Sequence, residues 1–229
     1  MFPIGDENEQ DAGVAFISIA LIALNVLAFL LEINRPERAV QSFIQAWGVV
    51  PGEFTARADL PPVIPYPFWT TLFTSMFLHA GWGHLFGNML FLWVFGDNIE
   101  HRIGHLRFLL FYLVCGLAAS FAHIFFNSES LIPAVGASGA ISGVLGGYLL
   151  LFPRNRVYVL TWGGVAAVPA LLMLGLWILI QFINGVGSIA YTTQTSGGVA
   201  YMAHIGGFAA GLVLAPLFAR GRSVRRSAW

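Results

Sequence analysis

The stretch GASGAISGVLGGYLLL, residues 136–151, combines an apolar run of helical length with a regular series of small residues. Gly139, Gly143 and Gly147 recur at every fourth position, so they lie on one face of a helix. Such a face lets a second helix pack closely inside a membrane. Ser138 begins the run, and a serine at this position alone would most often be a helix N-cap.

The composition of the chain predicts that this helix lies in a membrane. Of the 229 residues, 57% are hydrophobic and 10% are charged, whereas a soluble domain has about 25% charged residues. Because so few charges cannot cover the surface of a soluble domain, that class is excluded. The formal net charge is zero and there is one Cys, so neither a nucleic-acid partner nor a disulfide scaffold is expected.

Further apolar segments predict an all-α, polytopic bundle of six transmembrane helices, since about 20 apolar residues cross a bilayer. The segments are about 14–31, 83–100, 107–126, 138–152, 157–183 and 198–219. Pro169 is expected to kink the fifth helix. No internal repeat is visible, which argues against a transporter.

The domain organisation follows from these segments. The predicted parts are an N-terminal cytoplasmic segment at 1–13, a membrane domain at 14–219 with a long outer loop at about 34–69, and a basic cytoplasmic tail at 220–229. The loop at about 184–198 is rich in Gly, Ser and Thr, and with the fifth helix it is the expected gate for substrate.

The arginines predict the orientation, because cytoplasmic loops carry an excess of Lys and Arg. All 11 basic residues are Arg. Those on the side shared by both termini are Arg102, Arg107, Arg154, Arg156, Arg220, Arg222, Arg225 and Arg226. Those on the opposite side are Arg35, Arg38 and Arg57. Both termini are therefore expected in the cytoplasm. Because no transit peptide is visible, a prokaryotic inner membrane is the expected location.

Four polar residues inside the predicted spans mark a candidate site, since polar groups in a bilayer are costly and by default functional. In the predicted topology His84, Asn88, Ser138 and His204 lie at similar depth near the outer face. A serine hydroxyl needs a general base to act as a nucleophile, and His204 is the candidate base. His84, Asn88 and the backbone amides that begin the fourth helix are candidate donors for an oxyanion.

An acidic third member of the site is not expected. Asp97 and Glu100 are the carboxylates of the second helix, and Glu100 lies about 24 Å along that helix from His84. Because both belong near the cytoplasmic end, the sequence predicts a Ser–His dyad rather than a triad.

These residues together resemble the rhomboid intramembrane serine proteases, over about 68–211. The motifs are His84-x-x-x-Asn88, Gly136-x-Ser138-Gly139, Ala203-His204-x-x-Gly207-x-x-x-Gly211, and Gly96-x-x-x-Glu100-x-x-x-Gly104. The resemblance implies Ser138 as the nucleophile, His204 as the base, and His84, Asn88 and the Ser138 amide as the oxyanion hole. It also implies cleavage of single-pass membrane proteins near the outer membrane boundary, without cofactor or metal.

The chain departs from the family pattern beside the serine. Many members have an aromatic residue four positions after it, stacked on the catalytic histidine, and here that position is Ser142. His79 matches a family histidine near the site, where a hydrogen bond to water or to a loop is expected.

Other functions fit the sequence less well. A non-catalytic membrane protein that holds transmembrane clients would need neither Ser138 nor His204. A channel or transporter is disfavoured because carboxylates at mid-membrane are lacking. A zinc protease needs H-E-x-x-H, which Glu100-His101 does not supply, although the i, i+4 pair His101 and His105 has metal-ligand spacing. Both histidines are expected in a solvated turn instead.

Overall fold

The computed structural model describes residues 2–7, 13–190 and 199–220. In chain order the described elements are β1 (Phe2–Asp6), α1 (Phe16–Ile33), α2 (Glu37–Trp47), α3 (Pro51–Ala56), α4 (Thr71–Thr74), α5 (Trp82–Ile103), α6 (His105–Phe126), α7 (Ser138–Leu151), β2 (Arg156–Thr161), β3 (Gly164–Pro169), α8 (Ala170–Ala190) and α9 (Tyr201–Phe218). Short 3-10 turns at Phe68–Thr70 and Ser75–Phe77 flank α4. The predicted all-α membrane class is confirmed, with a small sheet added.

The long helices are compatible with six spans. Among the described residues, four helices are long and apolar enough to cross a membrane, namely α1, α6, α8 and α9. The 22-residue α5 is equally long but contains more polar residues. The 14-residue α7 is shorter, and each residue from Gly139 to Tyr148 is buried. Because α5, α6, α8 and α9 all pack around it, α7 is the central helix and meets little of the lipid.

The closest helix pair is α7 and α9, as the glycine stripes predict. A Cβ on Gly207 would overlap the carbonyl oxygen of Gly139, and a Cβ on Gly211 would overlap that of Gly143. The backbones therefore touch where both helices carry glycine, and no larger residue fits there. This contact fixes the distance between the first turns of the two helices, where Ser138 and His204 lie.

The prediction that the apolar segment at 157–183 forms one helix is wrong. Residues 156–169 form an antiparallel hairpin in which Thr161 pairs with Gly164, and β1 adds to β2 as a third antiparallel strand. The β-branched and aromatic residues of β2 and the Gly163-Gly164 turn explain the hairpin. The fifth long helix begins only at Ala170, so Pro169 ends β3 and does not kink α8.

Buried carboxylates hold α1 at both ends. Glu100 accepts hydrogen bonds from the backbone N–H groups of Ile17 (2.9 Å) and Ser18 (2.7 Å) and from the Ser18 hydroxyl (2.7 Å). It therefore caps the first turn of α1, where free N–H groups favour a negative charge. At the other end, Glu32 accepts a hydrogen bond from the His79 amide (3.1 Å).

The long connection after α1 supports the loop that leads into α7. Val49 and Ala134 exchange backbone hydrogen bonds of 3.0 and 2.8 Å, and the Gly136 amide donates to the Ser75 carbonyl at 2.8 Å. Gly136 has a φ of +127°, which a residue with a side chain rarely adopts. This loop thus reaches Ser138 in a fixed conformation.

Three parts of the sequence prediction fall outside the described residues. These are residues 1 and 8–12 of the N-terminal segment, residues 191–198 of the expected gate loop, and residues 221–229 of the tail with Arg222, Arg225 and Arg226. The gate remains a prediction.

Candidate active site

Ser138 and His204 meet at the ends of α7 and α9. The His204 Nε2 atom lies 2.9 Å from the Ser138 hydroxyl oxygen, which is hydrogen-bond distance. His204 is buried, whereas Ser138 is only half-buried. A partly accessible hydroxyl next to a buried imidazole is the geometry that nucleophilic catalysis needs.

His84 and Asn88 lie on α5 against the loop that precedes Ser138. A Cβ built on Gly136 would be 2.7 Å from His84 Nε2 and 3.5 Å from Asn88 Nδ2. Asn88 is buried, and its Nδ2 has no hydrogen-bond partner within residues 2–7, 13–190 and 199–220. A buried amide donor without a partner is costly unless it serves a bound group. The four predicted site residues therefore converge from three helices.

A small cavity adjoins Ser138 on the side of α6. Its volume is about 30 Å³, and its polar lining includes Ser75, Ser120 and His123. A water molecule needs roughly 10–15 Å³ by this measure, so about two waters fit. His123 thus lies beside this space, and its Nδ1 atom is 3.3 Å from the Asn127 side-chain nitrogen.

Two side chains from α8 contact His204, and neither was expected in the site. The Gln181 Oε1 atom lies 2.8 Å from His204 Nδ1. The Trp177 ring lies 5.8 Å from the imidazole centroid, with 33° between the planes. Gln181 is an amide within the mostly apolar α8, which is the sequence signal that could have revealed it. Ser142, in place of the family aromatic, donates its hydroxyl to the Ser138 carbonyl at 2.6 Å.

The remaining polar candidates lie elsewhere or serve the fold. Glu100 is in the last turn of α5 and caps α1, so it is not a member of the site. Glu100 also contacts His105, whose Nδ1 lies 2.5 Å from Glu100 Oε1. The His105 side chain is half exposed, but this residue begins α6 instead of lying in a turn. His79 is buried, and its ring contacts His84 with centroids 5.1 Å apart. Burial and the neighbouring His84 lower the pKa of His79 to about 4, which leaves it neutral at pH 7.

Comparison with known proteins gives an independent result. The Rhomboid domain matches residues 67–221. Similar proteins include Rhomboid protease GluP of Bacillus subtilis, 35% identical over 73% of this chain and 31% of that protein. Rhomboid-like protein 11, chloroplastic, of Arabidopsis thaliana is 28% identical over 68% of this chain and 54% of that protein. Rhomboid protein 1, mitochondrial, of Saccharomyces cerevisiae is 31% identical over 61% of this chain and 39% of that protein.

The aligned region covers between 31% and 54% of the length of these three relatives. The domain match, by contrast, covers well over half of this chain and includes all four site residues, since it runs from residue 67 to 221. The chain therefore belongs to the rhomboid family.

Proposed function

We infer that this protein is an intramembrane serine protease that hydrolyses peptide bonds of transmembrane proteins near the outer boundary of the membrane. Ser138 is the nucleophile and His204 the general base. The observation that carries this proposal is the 2.9 Å contact between His204 Nε2 and the Ser138 hydroxyl. The name of the similar GluP, a rhomboid protease, supports the same reaction class.

The proposed reaction proceeds in two stages through an acyl-enzyme. The Ser138 oxygen attacks the scissile carbonyl carbon while its proton passes to His204 Nε2. His204 then gives this proton to the leaving amine as the C–N bond breaks. Water, for which the neighbouring cavity of about 30 Å³ has room, attacks the ester carbonyl carbon and gives a proton to His204 Nε2. His204 then returns this proton to the Ser138 oxygen as the ester bond breaks, which releases the carboxylic acid product and restores the dyad.

Stabilisation of the oxyanion is assigned to donors on α5 and α7. The Ser138 backbone amide lies at the start of α7, where N–H groups are not used by the helix. Asn88 supplies the buried Nδ2 donor, and His84 lies beside it against Gly136. A donor aimed at developing charge lowers the barrier by about 2.7–4 kcal/mol.

The arginine distribution supports an orientation with both termini in the cytoplasm and the site near the outer face. A prokaryotic inner membrane and single-pass substrates belong to the same proposal. The alternative is a non-catalytic protein that holds transmembrane clients. Such a protein would have no use for the contact between Ser138 and His204, so this contact favours the protease.

The test is cleavage of a single-pass substrate in proteoliposomes, together with fluorophosphonate labelling of Ser138. We expect Ser138→Ala to abolish both, and His204→Ala to abolish cleavage and greatly slow labelling. Ser42→Ala is the matched control, because Ser42 is exposed on α2, and it should behave as wild type. Cleavage that survives Ser138→Ala would refute the assignment, and a folded wild-type protein that is not labelled would favour the non-catalytic alternative.

A further inference from the structure

The side of His204 that faces away from Ser138 is occupied by α8. Trp177 and Gln181 are four residues apart, so they lie on one face of that helix. Gln181 contacts the imidazole Nδ1 atom at 2.8 Å, and Trp177 covers the ring with centroids 5.8 Å apart. The imidazole is therefore held by α8 on one side and contacts Ser138 of α7 on the other.

The Gln181 contact suits one of the two neutral tautomers of His204. To accept the Ser138 proton, Nε2 needs its lone pair, so the neutral ring must carry hydrogen on Nδ1. The Gln181 Oε1 atom, at 2.8 Å, accepts that N–H. In a Ser–His–Asp triad a carboxylate fills this position. Here a neutral amide fills it, which avoids the cost of burying a charge.

The Trp177 ring restricts the orientation of the imidazole. The two planes differ by only 33°, and Trp177 also contacts Phe208, one turn after His204, with centroids 6.2 Å apart. The position that carries a stacking aromatic in many relatives is Ser142 here, and its hydroxyl is bound to the Ser138 carbonyl. An aromatic ring is thus supplied from α8 instead of α7.

We propose that Gln181 and Trp177, both on α8, are positioning residues for the general base. This proposal rests on the protease function proposed above. Gln181 fixes the proton on Nδ1, and Trp177 fixes the plane of the ring. The titratable groups close enough to act on the charge of His204 are His84 on α5 and His123 on α6, and both stay constant in the experiments below.

The first experiment changes Gln181 and measures kcat, KM and the pH profile of kcat/KM with a single-pass substrate in proteoliposomes. Gln181→Leu removes the acceptor at similar size, and we expect kcat to fall by about 10²-fold with KM within twofold. Gln181→Glu keeps an acceptor oxygen and should recover much of this loss. Leu179→Ala, at an exposed position of α8, is the control and should keep wild-type kcat.

The pH profile separates positioning from a purely structural role. An anionic acceptor stabilises the imidazolium, so the acid limb should move to higher pH by about 1–3 units in Gln181→Glu. In Gln181→Leu it should move to lower pH. Equal acid limbs in the three proteins, or a kcat for Gln181→Leu within twofold of wild type, would overturn the role of Gln181.

The second experiment tests the ring. Trp177→Phe keeps an aromatic plane and should retain most of kcat, whereas Trp177→Leu should lose at least tenfold at unchanged KM. Trp93→Leu is the matched control, because Trp93 on α5 is 61% exposed. Equal kcat values for Trp177→Phe and Trp177→Leu would overturn the role of Trp177. If the wild-type protein cleaves no substrate and is not labelled at Ser138, the proposed protease function is refuted. If the wild-type protein is active and the Gln181 and Trp177 variants are equally active, only the positioning role is refuted.

Discussion

Gly207→Ala tests how strongly the reaction depends on the α7–α9 contact. The added Cβ would overlap the Gly139 carbonyl oxygen, whereas a carbon normally stays about 3.3 Å from such an oxygen. The first turn of α9 must therefore move away by roughly 1 Å. His204 lies in that turn, so its 2.9 Å contact with the Ser138 hydroxyl opens beyond hydrogen-bond length.

The expected loss is larger for catalysis than for stability. A misplacement of about 1 Å costs about 10²-fold in rate, whereas overpacking typically costs about 1–3 kcal/mol of unfolding free energy. The assay is the rate of fluorophosphonate labelling at Ser138 in proteoliposomes, measured beside thermal unfolding. Gly175→Ala on α8 is the matched control, since its Cβ would meet nothing within 4 Å. A folded Gly207→Ala protein that is labelled at the wild-type rate would refute the reasoning.

Three further predictions concern other parts of the molecule. Glu100→Gln removes the charged acceptor at the start of α1 and should lower the unfolding free energy by about 1.5–3 kcal/mol. Glu129→Gln, at an exposed loop position, is the control and should not lower it. Equal melting temperatures for these two variants would contradict the prediction. Burial raises the pKa of Asp6 from 3.8 to about 7, so the folded protein favours the protonated carboxyl. The protonated carboxyl therefore contributes to stability below about pH 4, and this contribution is lost as the pH rises through about 7. The melting temperature of the wild-type protein should therefore fall between about pH 4 and pH 7, and that of Asp6→Asn should not. The same fall in the wild-type protein and in Asp6→Asn would exclude Asp6 as its cause. Asn88→Ala should lower kcat by about 10²–10³-fold at similar KM, and a loss below tenfold in the cleavage assay would remove Asn88 from the oxyanion hole.

The helices and the four predicted site residues could be read from the sequence because their signals are local. Apolar runs of helical length identified α1, α6 and α9 closely. The glycine spacing predicted the backbone contact that places Ser138 beside His204. A polar residue within such a run favours a functional role, so the sequence predicted which four residues the fold brings together.

The parts that sequence analysis missed depend on partners distant in the chain. Gln181 contacts a histidine 23 residues away, and nothing around Gln181 indicates which helix face α9 covers. The hairpin at 156–169 could not be predicted, because a short apolar run is equally compatible with a strand and with a helix. Strand β1 forms only by pairing with β2, more than 150 residues later, with Phe2 opposite Leu160.

The small sheet holds the first residues of α8 in place. Strand β3 leads directly into α8, and the Ala170 and Leu171 amides donate to the Asn155 and Pro153 carbonyls at 2.8 and 3.1 Å. Gln181 lies about 16 Å further along the helix. A rigid tilt of about 5° about Ala170 would therefore displace Gln181 by about 1.4 Å, enough to break its 2.8 Å contact with His204. A small change of angle at the sheet end of α8 would therefore be sufficient to separate Gln181 from His204.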